Sequence, residues 1–132
     1  MPNNSWDAAI NDLFPADDNT EDFAESVPKG AAFDVVAKVE IGRNLMQFAD
    51  ADLLYVSVAN VSKSSILVTE KLPRTIKPED KKRNDTLRVD IKPGWVADVG
   101  DVLQVTASYK AEAGIHTDFS SAQSGLFVVV DA

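Results

Sequence analysis

The chain of 132 residues has no cysteine. That excludes disulfide staples, thiolate nucleophiles and cysteine-based zinc sites, and it leaves packing to hold the fold. Histidine is almost absent, with His116 the single one. Long apolar runs are missing as well. No stretch approaches the ~20 residues that a membrane span needs. The opening, MPNNSWDAAINDLFPADD, has neither a basic start nor an extended apolar core, so no signal peptide is read there. The corresponding expectation is a cytoplasmic protein, or one exported by a leaderless route as part of an assembly. Basic charge is the last scarcity. Thirteen Lys and Arg stand against 21 Asp and Glu, for a net charge of −8. Nucleic acid needs a basic face, so it is not expected as a partner.

Apolar residues make up 45% of the chain, and a chain of this length buries about two-thirds of its unfolded surface in one core. The acidity is unevenly spread. Residues 1–30 carry seven acids and one lysine, which makes the first thirty residues an acidic arm. Within it Trp6, Ile10, Leu13 and Phe14 fall at i, i+4, i+7 and i+8. That spacing predicts a short amphipathic helix over about 5–14, with Ser5 as N-cap and Pro15 as its stop. Ten residues do not hold a helix alone, so its apolar face must dock on a partner or on its own domain.

From Ala31 the period changes to two. Phe33, Val35, Ala37, Val39 and Ile41 alternate with Asp34, Lys38 and Glu40, and Val36 is the exception. Further strands are read in 53–61, 66–72, 86–91, 101–110 and 125–131, with a minor one in 44–48. Ser62–Ser65 makes a polar hairpin loop, and Ala113–Gly114 makes a second turn. About seven short strands in residues 31–132 predict an all-β fold, an antiparallel sandwich, with a closed barrel as the alternative.

The stretch TLRVDIKPGWVADVGDVLQVTASYKAEAG, followed by a terminal strand, resembles an immunoglobulin-like or fibronectin type III-like module. Leu87, Val89 and Ile91 would form one strand, Pro93–Gly94 the loop, and Val105, Ala107 and Tyr109 the inner face of the long strand. The cysteine pair and core tryptophan of antibody domains are missing, since Trp95 falls in the loop. The resemblance implies a fold and no particular function.

His116, Asp118, Ser120 and Ser121 supply the residue types of a hydrolytic triad. They are crowded into one strand end, without a rigid elbow or oxyanion hole, so no catalytic residue is assigned. The acid groups Asp17, Asp18, Glu21, Asp22 and Asp50, Asp52 offer oxygens for calcium. They lack the spacing of a calcium loop, so no metal ligand and no cofactor is assigned. The segment KLPRTIKPEDKKR at 71–83 has six bases and two acids, and Pro73 and Pro78 mark it as a loop.

The expectation is therefore a non-enzymatic interaction, structural or assembly module. It binds a protein partner or itself through Trp6, Ile10, Leu13 and Phe14. Arg74, Lys77, Lys81, Lys82 and Arg83 add an electrostatic contact, and Trp95 and His116 add loop contacts. A small-molecule ligand is not expected. The alternative is a secreted or surface adhesin-like domain, stabilised by calcium.

Overall fold

The computed structural model describes residues 5–131. Residues 1–4 of the expected arm, and Ala132 of the expected sandwich, lie outside the described residues. The described chain is all-β apart from one helical turn. Its elements are β1 (Ala8–Asp17), β2 (Ser26–Pro28), β3 (Phe33–Ile41), α1 (Arg43–Met46), β4 (Ala51–Asn60), β5 (Ser65–Thr75), β6 (Arg83–Ile91), β7 (Val102–Ala113), β8 (His116–Gln123) and β9 (Phe127–Val130). One sheet has the order β1-β3-β6, and the other has β2-β9-β7-β4-β5, with β8 also on β7. Every pairing is antiparallel except that of β2 with β9.

The alternating strands form as their pattern dictates. Phe33, Val35, Ala37 and Ile41 of β3, Leu54, Val56 and Val58 of β4, and Leu103, Val105 and Tyr109 of β7 meet in one buried core. Trp95 and Phe127 both pack edge-on against Phe33 at one end of it. At the other end the expected minor strand in 44–48 is instead the single turn of α1, which seals the core with fully buried Leu45 and Met46. The hairpin between β7 and β8 turns at Gly114, whose φ of +64° is a conformation that only glycine adopts freely. Away from this turn, towards the start of β7, its partner changes from β8 to β9. Ser124 fills the step, with its N–H donating to the Val105 carbonyl and its Oγ accepting from the Val105 N–H.

The expected N-terminal helix does not form. From Ala8 onward its residues belong to β1, which pairs with β3 along its whole length. The register slips between Ile10 and Asp12, so Asn11 is an extra residue, a β-bulge. Ala8 and Ile10 before the bulge, and Leu13 and Pro15 after it, lie opposite the inward residues Ile41, Val39, Ala37 and Val35. Phe14 falls on the outer face, opposite Val36 and tilted against Phe23. Of the four residues expected on one helical face, Trp6 precedes the strand, Ile10 and Leu13 face inward, and Phe14 faces outward. Pro15 does not break it. The Pro15 carbonyl accepts from Ala24, so the position of its missing N–H also points away from β3.

The outer edge of β1 is closed by side chains as well as by backbone. The Ala8 N–H donates to Asp118 Oδ2 at 2.7 Å, and the Ile10 N–H to Ser120 Oγ at 3.2 Å. These bonds tie one sheet to the β8 side of the other. The basic segment at 71–83 is likewise only partly a loop. β5 continues through Pro73 to Thr75 as the terminal strand of its sheet, where proline is tolerated, and β6 begins at Arg83.

Candidate functional site

Two features of the molecule carry chemistry: a partly buried polar network that links the sheets and the outward face of β4, β5, β7 and β8. The network starts from residues in the apolar phase of their strands. Asp52 shares its side of β4 with Leu54 and Val56, and Arg74 lies directly opposite Asp52 on β5. The Arg74 guanidinium grips the Asp52 carboxylate with Nε and Nη2, the Nε bond being 2.9 Å. Nη2 also reaches Asp85 Oδ2 on β6 at 3.1 Å, which joins the two sheets. Arg83 donates to the same carboxylate at 2.7 Å, and the Tyr109 hydroxyl donates to Asp52 Oδ2 at 2.6 Å.

This arrangement is internally neutral: two arginines face two carboxylates, and the Asp52 side chain has no exposed surface. The Asp52 bond holds the Arg74 guanidinium protonated more firmly than usual. Burial pushes the Tyr109 phenol above its ordinary range, and its bond to Asp52 pushes it the same way. Burial opposes ionisation of Asp85, but its bonds to Arg83 and Arg74 prevail and hold its carboxyl below the usual value. Among the described residues no buried side-chain polar atom lacks a hydrogen-bond partner. Chemically, the network is a clamp between sheets.

The remaining basic residues are also engaged. Lys82 pairs with Glu40 at 3.6 Å and Lys81 with Glu79 at 3.2 Å, while Lys77 is exposed in the connection after β5. Five bases expected to form one contact surface are thus dispersed, two of them inside the clamp. Trp95 is buried and its Nε1–H donates to the Ala31 carbonyl at 2.8 Å, so it covers an end of the core. Trp6 is half-exposed and stacks on Phe48, with ring centroids 6.2 Å apart. His116 is exposed at the start of β8, whereas Asp118 and Ser120 serve the edge of β1.

The acid groups regroup. Asp52 belongs to the clamp, while Asp18 converges with Asp34 and Asp90, one oxygen from each lying within 4.8 Å of the others. Buried Asp34 accepts from the Asn19 N–H at 2.9 Å and lies 3.4 Å from Arg88 Nε. Burial raises its carboxyl above the ordinary value. The Asn19 bond and Arg88 counter this, and the charges of Asp18 and Asp90 add to it.

The second feature lies on the other side of β4 and β7. Reading outward through the register, Leu53 stands between Pro73 and Lys110, and Lys110 stands beside Phe119. The next rows are Lys71, Tyr55, Ser108, Ser121 and then Thr69, Ser57, Thr106, Gln123. Among the described residues at outward positions of these four strands, only Lys71, Lys110 and Glu112 are charged, and Lys110 pairs with Glu112 at 2.9 Å. Phe119 is 67% exposed. A shallow depression of ≈ 190 Å³ lies between Tyr55, Ser57, Thr106 and Ser108, and a larger one of ≈ 480 Å³ reaches Leu53, Pro73 and Lys110.

Sequence reasoning missed both features. The signal for the clamp was an acid and an arginine in the apolar phase of two neighbouring strands. The signal for the face was a run of uncharged alternate residues in a chain that is 26% charged. The class that the geometry defines is a two-sheet, all-β protein with a partly buried clamp between its sheets and a charge-poor sheet face. No protein-family model, curated protein or solved structure matches the chain.

Proposed function

We propose that this chain is a non-catalytic protein-interaction module of immunoglobulin-like or fibronectin type III-like connectivity, and that it docks through the outward face of β4, β5, β7 and β8. The order β1-β3-β6 opposite β5-β4-β7-β8 supports the connectivity. The observation that carries the function is the composition of that face. Leu53, Tyr55, Pro73 and Phe119 stand among Ser, Thr and Gln side chains with three charges. Protein interfaces combine aromatic anchors, few charges and hydrogen-bonding hydroxyls in this way. The non-catalytic part is supported by the clamp, whose ionisable groups are consumed by one another.

A photo-crosslinking residue in place of Ser108 tests the reading in the producing cell. The expected result is a discrete adduct from position 108 and none from the same residue at exposed Thr86, on the opposite sheet. Equal labelling at both positions, or none at position 108, removes the face as a docking surface.

A further inference from the structure

The geometry points to a second copy of this chain as the occupant of that face, in a two-fold symmetric dimer, an inference that rests on the docking reading above. Three observations select it. The first is charge. The molecule carries −8, and two copies repel wherever their acidic surfaces meet. The outward face of β4, β5, β7 and β8 carries only two lysines and one glutamate, so two copies that meet there do so with little repulsion.

The second is shape. In a two-fold interface each patch must complement itself. This face carries both a protrusion, Phe119 on β8, and a depression, the hollow between β4 and β7 bordered by Tyr55, Ser57, Thr106 and Ser108. In the sheet register Phe119 lies at the level of Lys110, and the hollow is centred near Ala107, one to two strands away. The point midway between them falls at Ser108. A two-fold axis through Ser108 seats each Phe119 ring in the hollow of the other copy.

The third is size. Four strands spaced ~4.8 Å apart and some nine residues long present roughly 500 Å² per copy, or roughly 1,000 Å² for the pair. That is the lower bound for a specific interface. A reversible dimer with a micromolar dissociation constant is the matching expectation, and an obligate one is not.

The absence of cysteine makes the test clean, because Ser108→Cys introduces the only thiol. Purified Ser108→Cys protein is expected to form a disulfide-linked dimer under mild oxidation, and Lys38→Cys, on the opposite sheet, to remain monomeric. Sedimentation of the unmodified chain should show a concentration-dependent dimer. Phe119→Asp should weaken it at least tenfold while leaving the melting temperature within a few degrees of the parent. A wild-type chain that is monomeric throughout the micromolar range overturns the proposal, as does equal crosslinking at positions 38 and 108. If that monomer still gives an adduct with a different polypeptide from position 108 in the cell, self-pairing falls and the docking face stands. If both experiments fail, both readings fall.

Discussion

Asp52 and Arg74 decide how the two sheets are held at one end of the core. Each occupies a position that the alternation of its strand assigns to an apolar side chain, and each is tolerated there because the other is present. Replacing both by apolar residues of similar volume is often neutral, whereas removing one leaves a buried charge without compensation. Arg74→Met leaves the Asp52 carboxylate with only the Tyr109 hydroxyl. The expected loss is about 3 kcal/mol, on the order of 10 °C in melting temperature. The double variant Asp52→Leu/Arg74→Met should recover most of that loss. Thermal denaturation of the three proteins measures it, and a single variant as stable as the parent would show that the clamp contributes nothing. Tyr109 belongs to the same network, and its raised phenol sets a limit at high pH. Stability that rests on the neutral phenol is present below the unfolded value near 10 and is lost above it.

At the level of elements, legibility depended on whether alternation was continuous. β3, β4, β6 and β7 were readable because each keeps one unbroken alternation, apolar in β6 from Leu87 to Ile91 and in β4 from Leu54 to Val58. β1 was not, and the reason is the bulge at Asn11. One inserted residue moves the inward positions from Ala8 and Ile10 to Leu13 and Pro15. The bulge sets the inward Ile10 and Leu13 three apart, and with Trp6 before the strand and Phe14 on its outer face they imitate a helical period, which Pro15 completes as an apparent stop. The clamp was illegible for a different reason. The hairpin of 53–61 and 66–72 is legible, but nothing local says that its strands run on to Asp52 and through Pro73 to Arg74, so 71–83 reads as a solvated loop. The bonds between β1 and β8 are equally non-local, spanning 110 residues. They give a prediction at this scale. Asp118→Ala combined with Ser120→Ala should raise the hydrogen-exchange rates of the Ala8 and Ile10 amides by tenfold or more, through loss of about 1 kcal/mol per bond. The amides of Val35 and Ala37, within β3, should keep their protection. Unchanged exchange at Ala8 and Ile10 would mean that the seam is closed by packing alone.

For the whole molecule the governing fact is the imbalance of charge. The acids of the first thirty residues are not on a separate arm. Asp17 ends β1, and Asp18 lies beside Asp34 and Asp90, so the surplus is concentrated where β1, β3 and β6 meet one end of the core. Concentrated like charge destabilises the folded state, and it does so through groups whose protonation is linked to folding. Asp34, with its raised carboxyl, binds its proton more tightly in the folded chain than in the unfolded one. Stability therefore increases as pH falls through the folded titration of Asp34, and that contribution is complete below the unfolded carboxylate value near 4. Asp85 and Asp101 act in the opposite sense. Asp101 is held low by the Asn60 amide, the Asp98 N–H and Lys63, and Asp85 by its two arginines. Both contribute stability that is present above the unfolded carboxylate value near 4 and is lost as pH falls through their lower folded values. The two tendencies place the stability maximum on the acid side of neutrality. Added salt at pH 7 should raise the melting temperature by screening the same acids, and it should do so less once the pH has fallen through the titration of Asp34. Melting curves across pH at two salt concentrations measure both effects. In Asp34→Asn the acid-side maximum should flatten and the response to salt at pH 7 should shrink. A parent protein most stable above pH 7, or one indifferent to salt, would place the destabilising charge elsewhere than at Asp18, Asp34 and Asp90.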